Sequence, residues 1–455
     1  MNEQPPNLSL LRNIKIALFH LSSGMADVLA TGLWNRIMIS DLGFSATPVS
    51  LLVSLRYLLA PLGVWAGRLS DARAVGGYRR LFWIWLGRAL MVVSMFTLGM
   101  ATAALVRGEQ VSLVHWLVIT LSLTLFSLGT AISGSTFLAL IYDRAPEHQR
   151  GRAVGLVWAF LLTGFAVGGF LFSRLLRPGE EASVLNADAV QNLFIIAALL
   201  LGSLWFFSLV GEERRSSGAV PRASASISLR ADLRLVWSNR QTRLFFWYLA
   251  LSMIFAFAQD AVLEPFGGQV FGMDAAHTTR FSAYWGSMAI LSILICLWLR
   301  RRFERLTDMA LSLIGVGILV FTFALFAVSA LASIRGLVTI GLVLLGIGLG
   351  VWNVGTLGLM MDMSPAGRAG TFLGFWTMAE VIARGVGVSG GGIVRDVVLM
   401  TTNTLNLSYA MVFILEALGL LLALWVLSRV NVKAFQSEYD QQASDTAAML
   451  AGAMD

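Results

Sequence analysis

The sequence FLALIYDRAP at residues 137–146 is followed closely by Gly-Arg-Ala at residues 151–153. The pattern returns far along the chain, where LGLMMDMSP at residues 357–365 is followed by Gly-Arg-Ala at residues 367–369. Each copy places an aspartate and, three residues later, a proline directly after a long apolar run. Repetition of so specific an element indicates a chain built from two similar halves.

Paired glycines follow each copy of this element. Gly164 and Gly168 come after the first copy, and Gly387 and Gly391 come after the second. Small residues four apart lie on one face of a helix and let two backbones approach closely within a membrane. We therefore expect corresponding helix–helix contacts at these glycines in the two halves.

The composition places most of the chain in lipid. Of 455 residues, 57% are hydrophobic and 13% are charged, and the mean hydropathy is +0.75. Soluble domains carry about 25% charged residues, and a helix needs roughly 20 apolar residues to cross a bilayer. The sequence predicts an all-α membrane protein with twelve spans: 14–34, 48–67, 81–105, 111–141, 152–173, 189–210, 243–263, 280–299, 309–333, 336–361, 368–394 and 406–428.

The arginines predict the orientation. If the N-terminus is cytoplasmic, the loops on that side hold most of the basic residues, including seven arginines between residues 214 and 243. Because basic loops stay inside, both termini are predicted to be cytoplasmic. The net charge of +7 thus reflects topology and not nucleic-acid binding. The predicted divisions are a first bundle at 1–211, a cytoplasmic linker at 212–242, a second bundle at 243–430 and a tail at 431–455.

The linker leaves two alternatives open. Residues 227–237 space Ile227, Leu229, Leu233 and Val236 between arginines, which is typical of an amphipathic helix on the membrane surface. A plain solvated linker explains the composition equally well.

The loop after the second span resembles a known signature. Gly67 to Asp71 followed by Gly77-Tyr-Arg79-Arg80 is similar to the motif between helices two and three of the major facilitator superfamily. The resemblance implies a twelve-helix fold of two pseudo-symmetric six-helix bundles, in which such residues latch the cytoplasmic ends of the bundles together. Ordinary topogenic charge is the alternative. With the two repeated elements, the predicted latch comprises Asp71, Arg79, Arg80, Asp143, Arg152, Asp362 and Arg368.

Ionisable residues within predicted spans cost at least ~2.5 kcal/mol each on insertion scales, so they are functional candidates. They are Asp27, Arg56, Arg88, Asp260, Glu264, Glu380, Arg384 and Glu416. Glu380 and Arg384 lie four residues apart, so they can pair along one helix. Asp27 and Asp260 occupy similar places in the two halves. They suit either proton coupling or hydrogen bonds that cap broken helices, and we favour the capping role.

His20 in the first span is a candidate ligand for the magnesium of a chlorin ring, because neutral imidazole is a good axial ligand. A hydrogen bond between helices is the more ordinary role. The sequence has no Walker loop, nucleophile elbow or zincin motif, so we expect neither an enzyme, nor an ATP-driven pump, nor a metal site, and no catalytic residues.

Two further segments resemble one family. QDAVLEPFGGQVFGM at residues 259–273 and HTTRFSAYWG at residues 277–286 are similar to the hallmark of the PucC/LhaA family. This is the bacteriochlorophyll-delivery branch of the major facilitator superfamily. GLWNRIMISDLG at residues 32–43 agrees in the first half. Pro265 and the Gly267-Gly268 pair also predict a break at the end of the seventh helix.

The resemblance implies a factor of the inner or photosynthetic membrane that assembles light-harvesting complexes. The implied cargo is bacteriochlorophyll or chlorophyll, and the implied partners are antenna polypeptides, pigment-synthesis enzymes and membrane lipid. A proton-coupled transporter of a small solute is the alternative. The candidate residues for pigment or partner binding are His20, Asp27, Asn35, Arg36, Arg56, Gln259, Asp260, Glu264, Pro265, Gly267, Gly268, Glu380 and Arg384.

Overall fold

A computed structural model describes residues 8–72, 74–176, 185–213, 237, 239–303, 306–364 and 369–438. Nearly all of the predicted linker helix at 227–237, Arg368 of the predicted latch and most of the predicted tail lie outside these residues. The helices are α1 (Leu10–Asp41), α2 (Ala46–Leu58), α3 (Pro61–Ala72), α4 (Leu81–Val106), α5 (Leu113–Arg144), α6 (Glu147–Leu175), α7 (Ala187–Phe207), α8 (Arg240–Phe257), α9 (Leu263–Phe271), α10 (Ala275–Thr279), α11 (Phe281–Arg302), α12 (Asp308–Ala332), α13 (Gly336–Asp362), α14 (Ala369–Thr402) and α15 (Leu405–Leu427).

These helices confirm the prediction of an all-α, multi-pass membrane protein. Within the described residues, eleven stretches are long and apolar enough to cross a membrane. The remaining long helix, α14, has 34 residues, or about 51 Å of rise, but it carries four charged residues along its length: Glu380, Arg384, Arg395 and Asp396.

The paired glycines lie where the sequence predicts. A side chain on Gly164 of α6 would collide with the Leu21 carbonyl of α1, and one on Gly387 of α14 would collide with the Ile254 carbonyl of α8. Because α6 packs on α1 in the first half as α14 packs on α8 in the second, the two glycine motifs make equivalent contacts.

Two helices are irregular at the middle of the molecule. In α1, wider π-helical turns cover Val28–Leu33 and Ile37–Asp41. The helix α8 ends at Phe257 and continues as a 3₁₀ turn over Ala258–Ala261. Such irregular turns are frequent at functional sites.

The predicted break at Pro265, Gly267 and Gly268 is wrong in its position. These residues lie inside α9, and the chain breaks earlier, before Leu263. Pro265 falls in the first turn of α9, where its missing N–H is not needed. The helix ends at Gly272, whose φ of 62° is the left-handed conformation that glycine adopts without strain.

The two halves meet mainly at one end of the molecule. We call the end that holds Leu10 and Leu427 the terminal end, and the end that holds the loops after Asp41 and Phe271 the distal end. The helix α2 packs along α14, and α6 packs along α11. The hydrogen bonds that join described residues of the two halves lie at the distal end or at mid-depth. The structure is therefore sealed at the distal end.

Candidate functional site

Two carboxylate–guanidinium pairs lie at mid-depth between the halves. Asp27 of α1 accepts hydrogen bonds at 2.9 and 2.8 Å from both terminal nitrogens of Arg56 in α2. Asp260, in the 3₁₀ turn after α8, accepts one at 2.8 Å from Arg384 of α14. Bidentate and charge-assisted bonds of this kind are strong and directional. We call these four residues the paired-charge cluster.

Aromatic rings join the two pairs across the halves. The Tyr57 ring of α2 lies 4.7 Å from the Arg56 guanidinium and 5.0 Å from that of Arg384. The Phe257 ring covers Arg384 at 3.8 Å. Cation–π contacts of this length are attractive, more so when they are shielded from water, so Tyr57 couples the first half to the second.

The predicted pair between Glu380 and Arg384 does not form. Arg384 turns to Asp260 instead, and among the described residues the Glu380 carboxylate has neither a hydrogen bond nor an ion pair. The fixed aspartate of the neighbouring 3₁₀ turn outcompetes a glutamate on the same helix, because the intrahelical pair would need two flexible side chains to be ordered.

The favoured interpretation of Asp27 and Asp260 as caps of broken helices is also wrong. Both carboxylates bind arginine side chains. The cap at the α8 break comes instead from Glu416 of α15, which accepts a hydrogen bond at 2.6 Å from the Gln259 backbone N–H. The Asp260 carbonyl, freed by the break, accepts one at 3.2 Å from Asn35 of α1. The irregular part of one half is thereby tied to the irregular part of the other.

The segment of α9 packs against α1 beside this break. The Glu264 carboxylate lies against Gly32, where an added Cβ would be 3.0 Å from its Oε1. The Arg36 guanidinium packs on Gly268, so a side chain at that position has no room, and it donates to the Met273 carbonyl at 2.7 Å. The buried residues of two sequence motifs, 32–43 and 259–273, are thus brought together at one contact between the halves.

The space inside the paired-charge cluster is small. The centre of a water molecule can occupy about 20 Å³ between Asp27, Thr31, Tyr57, Gln259 and Trp285, which is room for one or two waters. Sites for drug-sized ligands hold roughly 300–1,000 Å³. This conformation therefore holds no pigment-sized cavity at the cluster.

His20 lies apart from this cluster. Its imidazole ring stacks on Phe137 of α5 at 4.8 Å and meets the edge of Trp158 of α6 at 6.0 Å. Its buried Nδ1 has no hydrogen-bond partner among the described residues. Nearby, the Arg88 guanidinium lies 4.2 Å from the Phe19 ring and 4.6 Å from the Trp205 ring. The hydrogen bond between helices does not form within the part of the chain that the structure describes, and an axial ligand role stays a prediction.

A second polar network seals the distal end, and the sequence did not reveal it. Asp396 of α14 accepts hydrogen bonds from the backbone N–H groups of Ala46 and Thr47, at 3.1 and 2.7 Å, and so caps α2 of the other half. Arg395 bonds Asp396 at 2.7 Å and Gln269 of α9 at 2.6 Å.

Gln269 is the centre of this network. Its carbonyl oxygen also accepts from the Tyr409 hydroxyl at 2.6 Å, and its amide donates to the Ile39 carbonyl at 2.8 Å. Arg395 and Asp396 were missed because the predicted span ended at residue 394, whereas α14 continues to Thr402. The uninterrupted apolar residues from Val397 to Met400 were the available signal.

The predicted latch acts within the first half in this structure. Arg80 binds Asp71 at 2.6 Å and Asp143 at 3.0 Å, and Arg79 binds Asp71 at 3.1 Å. Arg152 donates to the Leu8 carbonyl, and the Asp362 carbonyl accepts from Gln436 within the second half. Asp71, Arg79, Arg80 and Asp143 thus fasten α3, α4 and α5 together. None of the latch residues that the structure describes bonds across the halves.

Solved structures share this fold. A bacterial homologue of the human lysosomal transporter Spinster, described as inward-facing and unoccupied, aligns with a TM-score of 0.68 and 11% identity over 93% of this chain and 97% of its own. A point mutant of the nucleoside transporter NupG aligns with a TM-score of 0.69 and 13% identity over 92% of this chain and 99% of its own. At these identities the likeness confirms the predicted major facilitator fold and nothing further.

Sequence relatives are more specific. Protein PucC of Rhodovulum sulfidophilum is 28% identical over 409 residues, or 88% of each chain. A protein of Rhodobacter capsulatus named bacteriochlorophyll synthase 44.5 kDa chain is 29% identical over 397 residues, covering 84% of this chain and 86% of its own. A sequence profile described as PUCC protein matches residues 33–435. The chain therefore belongs to the PUCC protein family, as its sequence motifs predicted.

Proposed function

We propose that this protein is an assembly factor for photosynthetic light-harvesting complexes, which brings bacteriochlorophyll or chlorophyll to antenna polypeptides in the membrane. The proposal rests on family membership. The profile match spans most of the chain, and one relative is named as a bacteriochlorophyll synthase chain. We infer a non-enzymatic function, since Asp27, Asp260 and Glu416 each bind other groups of the protein.

The paired-charge cluster supports this proposal over transport of a charged solute. Asp27 and Asp260 are each held by an arginine at 2.8 Å, so the charges cancel within the protein. A site for a charged solute needs an uncompensated partner charge, because burial of an unpaired ion is costly. The facilitator fold alone does not favour the transporter alternative, since one fold hosts many functions.

The proposal is tested on protein purified gently from cells that are building antenna complexes. We expect its absorption spectrum to contain a chlorin band and mass spectrometry to find antenna polypeptides. Deletion of the gene should lower antenna absorbance, and the wild-type chain should restore it. A preparation with neither chlorin nor antenna polypeptide, from such cells, would contradict the proposal.

One residue variant tests the predicted pigment ligand within this function. If His20 ligates magnesium, His20→Ala should lower the chlorin content of the purified protein, because no other atom replaces its imidazole nitrogen. His115→Ala is the matched control, since His115 lies at the exposed start of α5, bonded to Ser112. An unchanged chlorin content in His20→Ala removes His20 as a ligand and leaves the wider function to the first experiment.

A further inference from the structure

The second membrane span is interrupted in its middle. The helix α2 ends at Leu58 and α3 begins at Pro61, with tighter turns between them: the Leu62 N–H bonds the Leu59 carbonyl, and the Gly63 N–H bonds the Ala60 carbonyl. Proline has no N–H to continue a helix and its ring clashes with the preceding turn. The interruption therefore follows from Pro61, and an interruption of this kind bends a helix.

The two parts of this span share α5 as a neighbour but differ in their contact with α14. The helix α2 packs along α14, where Tyr57 lies 3.0 Å from the position of a Cβ on Gly385. The helix α3 packs along α5, where the Ser135 hydroxyl donates to the Gly63 carbonyl at 2.7 Å. Towards the terminal end, the bend thus moves α3 of the first half away from α14.

The face of α14 that meets α2 becomes open past this bend. Gly385 and Gly392 both contact α2, and the same helical stripe continues through Met378 to Gly374. Among the described residues, no atom lies within 4 Å of the position that a Cβ on Gly374 would take. From Gly385 to Gly374 the stripe runs about 16 Å along the helix axis.

The opposite wall of this opening is apolar and exposed. The helix α3 turns Gly63 and Gly67 towards Ser135 of α5, and it leaves Leu62, Val64 and Trp65 exposed by 41, 48 and 60%. Since α3 belongs to a membrane span, these side chains face hydrocarbon. We call the opening between α3 and the Gly374–Gly385 stripe of α14 the lateral seam.

The inner end of the lateral seam is polar. Tyr57 and Gly385 are in close contact there, and Arg384 lies beside them. The Nε of Arg384 is buried without a hydrogen-bond partner among the described residues. A free guanidinium donor next to self-neutralised charges suits an uncharged acceptor, such as a carbonyl or ester oxygen, better than an anion.

We propose that the lateral seam admits an amphiphile directly from the bilayer, with its ester or carbonyl head at Arg384 and Tyr57 and its long apolar part between α3 and α14. The distal end is closed by the Asp396 and Gln269 network, and the void at the cluster holds only one or two waters. The head group therefore reaches the cluster while the apolar part stays in the seam. The identification of this amphiphile with a chlorin ester rests on the proposed function.

The test fills the seam without disturbing the fold. Gly374→Phe places a ring where the structure has open space. Two matched variants also replace glycines that have nothing within 4 Å of a Cβ position: Gly155→Phe on α6, on the other side of the molecule, and Gly317→Phe on α12, remote from both. All four full-length proteins are placed in nanodiscs and titrated with bacteriochlorophyll a. A second arm uses phosphatidylcholine with brominated chains, which quenches tryptophan on contact.

We expect Gly374→Phe to weaken binding of bacteriochlorophyll a about tenfold or more, that is by ~1.4 kcal/mol, while the two matched variants bind like wild type. The brominated lipid should quench Trp65 from the surrounding bilayer in every variant. Entry into the seam is therefore measured as the additional quenching in wild type relative to Gly374→Phe, each corrected with its own Trp65→Phe version.

Three results would overturn the lateral seam. The first is equal pigment binding by Gly374→Phe and wild type, which leaves the proposed function intact. The second is loss of binding in Gly155→Phe alone, which moves the route to α6 and α11. The third is equal quenching of Trp65 in wild type and Gly374→Phe, which shows that lipid does not enter past Gly374. If brominated lipid enters past Gly374 but wild type binds no pigment, the seam stands and the pigment role fails.

Discussion

The arginines at mid-depth depend on their partners. Asp27 and Asp260 were expected to be equivalent residues of two similar halves, and each does bind an arginine at 2.8 Å. The arginines themselves are not equivalent, because Arg56 lies on α2 of the first half and Arg384 on α14 of the second. The two halves therefore place similar carboxylates at mid-depth but pair them with arginines from different helices.

Loss of one partner should destabilise the protein more than loss of both. Asp27→Asn leaves the Arg56 guanidinium, only 10% exposed, without its counter-charge, and we expect a cost of roughly 3 kcal/mol in unfolding free energy. The double variant Asp27→Asn with Arg56→Gln should recover part of that loss. Denaturant unfolding in detergent micelles measures both.

Asp188 supplies the control for the single and double variants at Asp27 and Arg56. It pairs with Arg107 at the same 2.8 Å but is 75% exposed, so Asp188→Asn should change stability by less than about 1 kcal/mol. Equal losses for Asp27→Asn and Asp188→Asn would show that the paired-charge cluster is as well solvated as a surface pair.

Individual site residues could be found from sequence where a charge interrupts an apolar run. That rule found Asp27, Arg56, Asp260, Arg384 and Glu416. It gave no partners, because a partner's identity depends on which helices become neighbours. The rule also missed Tyr57, because a tyrosine ring is common in membrane helices. The role of Tyr57 arises only from its position between two guanidinium groups.

Among the elements, the glycine-rich contacts were the most predictable. Paired small residues on one face of a membrane helix favour close packing against a neighbouring helix, and α6 and α14 both use them in this way. The helix break was harder to locate. Proline and glycine signals at residues 265–268 could mean either the end of one helix or the first turn of the next, and the cap supplied by Glu416 from α15 decides between them only in three dimensions.

The cap on α2 should hold the distal end closed. Asp396→Ala removes both hydrogen bonds to the start of α2, a loss typical of helix caps at about 1 kcal/mol. We expect Ser50→Cys, a fully buried position on α2, to react faster with a membrane-impermeant maleimide when Asp396→Ala is present. The background is Cys296→Ser, which removes the single native cysteine.

The control is again at Asp188, where Asp188→Ala removes a surface carboxylate at the distal end of α7. It should leave the labelling rate of Ser50→Cys unchanged. If Asp396→Ala labels no faster than this control, the packing of α2 on α14 seals the distal end without help from the cap.

For the whole molecule, composition and repeats were enough to predict the membrane class and the two-part architecture. They did not indicate which end of the molecule is closed, since that depends on polar contacts between residues far apart in sequence. Gln269 and Ile39, which meet at 2.8 Å, belong to two motifs whose proximity no local pattern reveals.

The direction of the protein in the membrane remains a prediction from its arginines. If the terminal end is cytoplasmic, green fluorescent protein fused after Asp455 should fluoresce, and alkaline phosphatase fused there should be inactive. The reverse is expected for fusions in the loop after Val106, at the distal end. Active phosphatase at the C-terminus would contradict the positive-inside prediction and would place the terminal end outside the cell.

The cap that Asp396 gives to α2 has a consequence for biogenesis. Asp396 lies 350 residues beyond Ala46, and ribosomes add roughly 5–20 residues per second, so α2 enters the membrane about 20 to 70 s before its cap has been synthesised. The Ile39 carbonyl likewise lacks its hydrogen-bond donor until Gln269 has been synthesised. During that interval the first half is an incomplete folding unit with exposed polar ends, and insertion of the last helices completes the first ones.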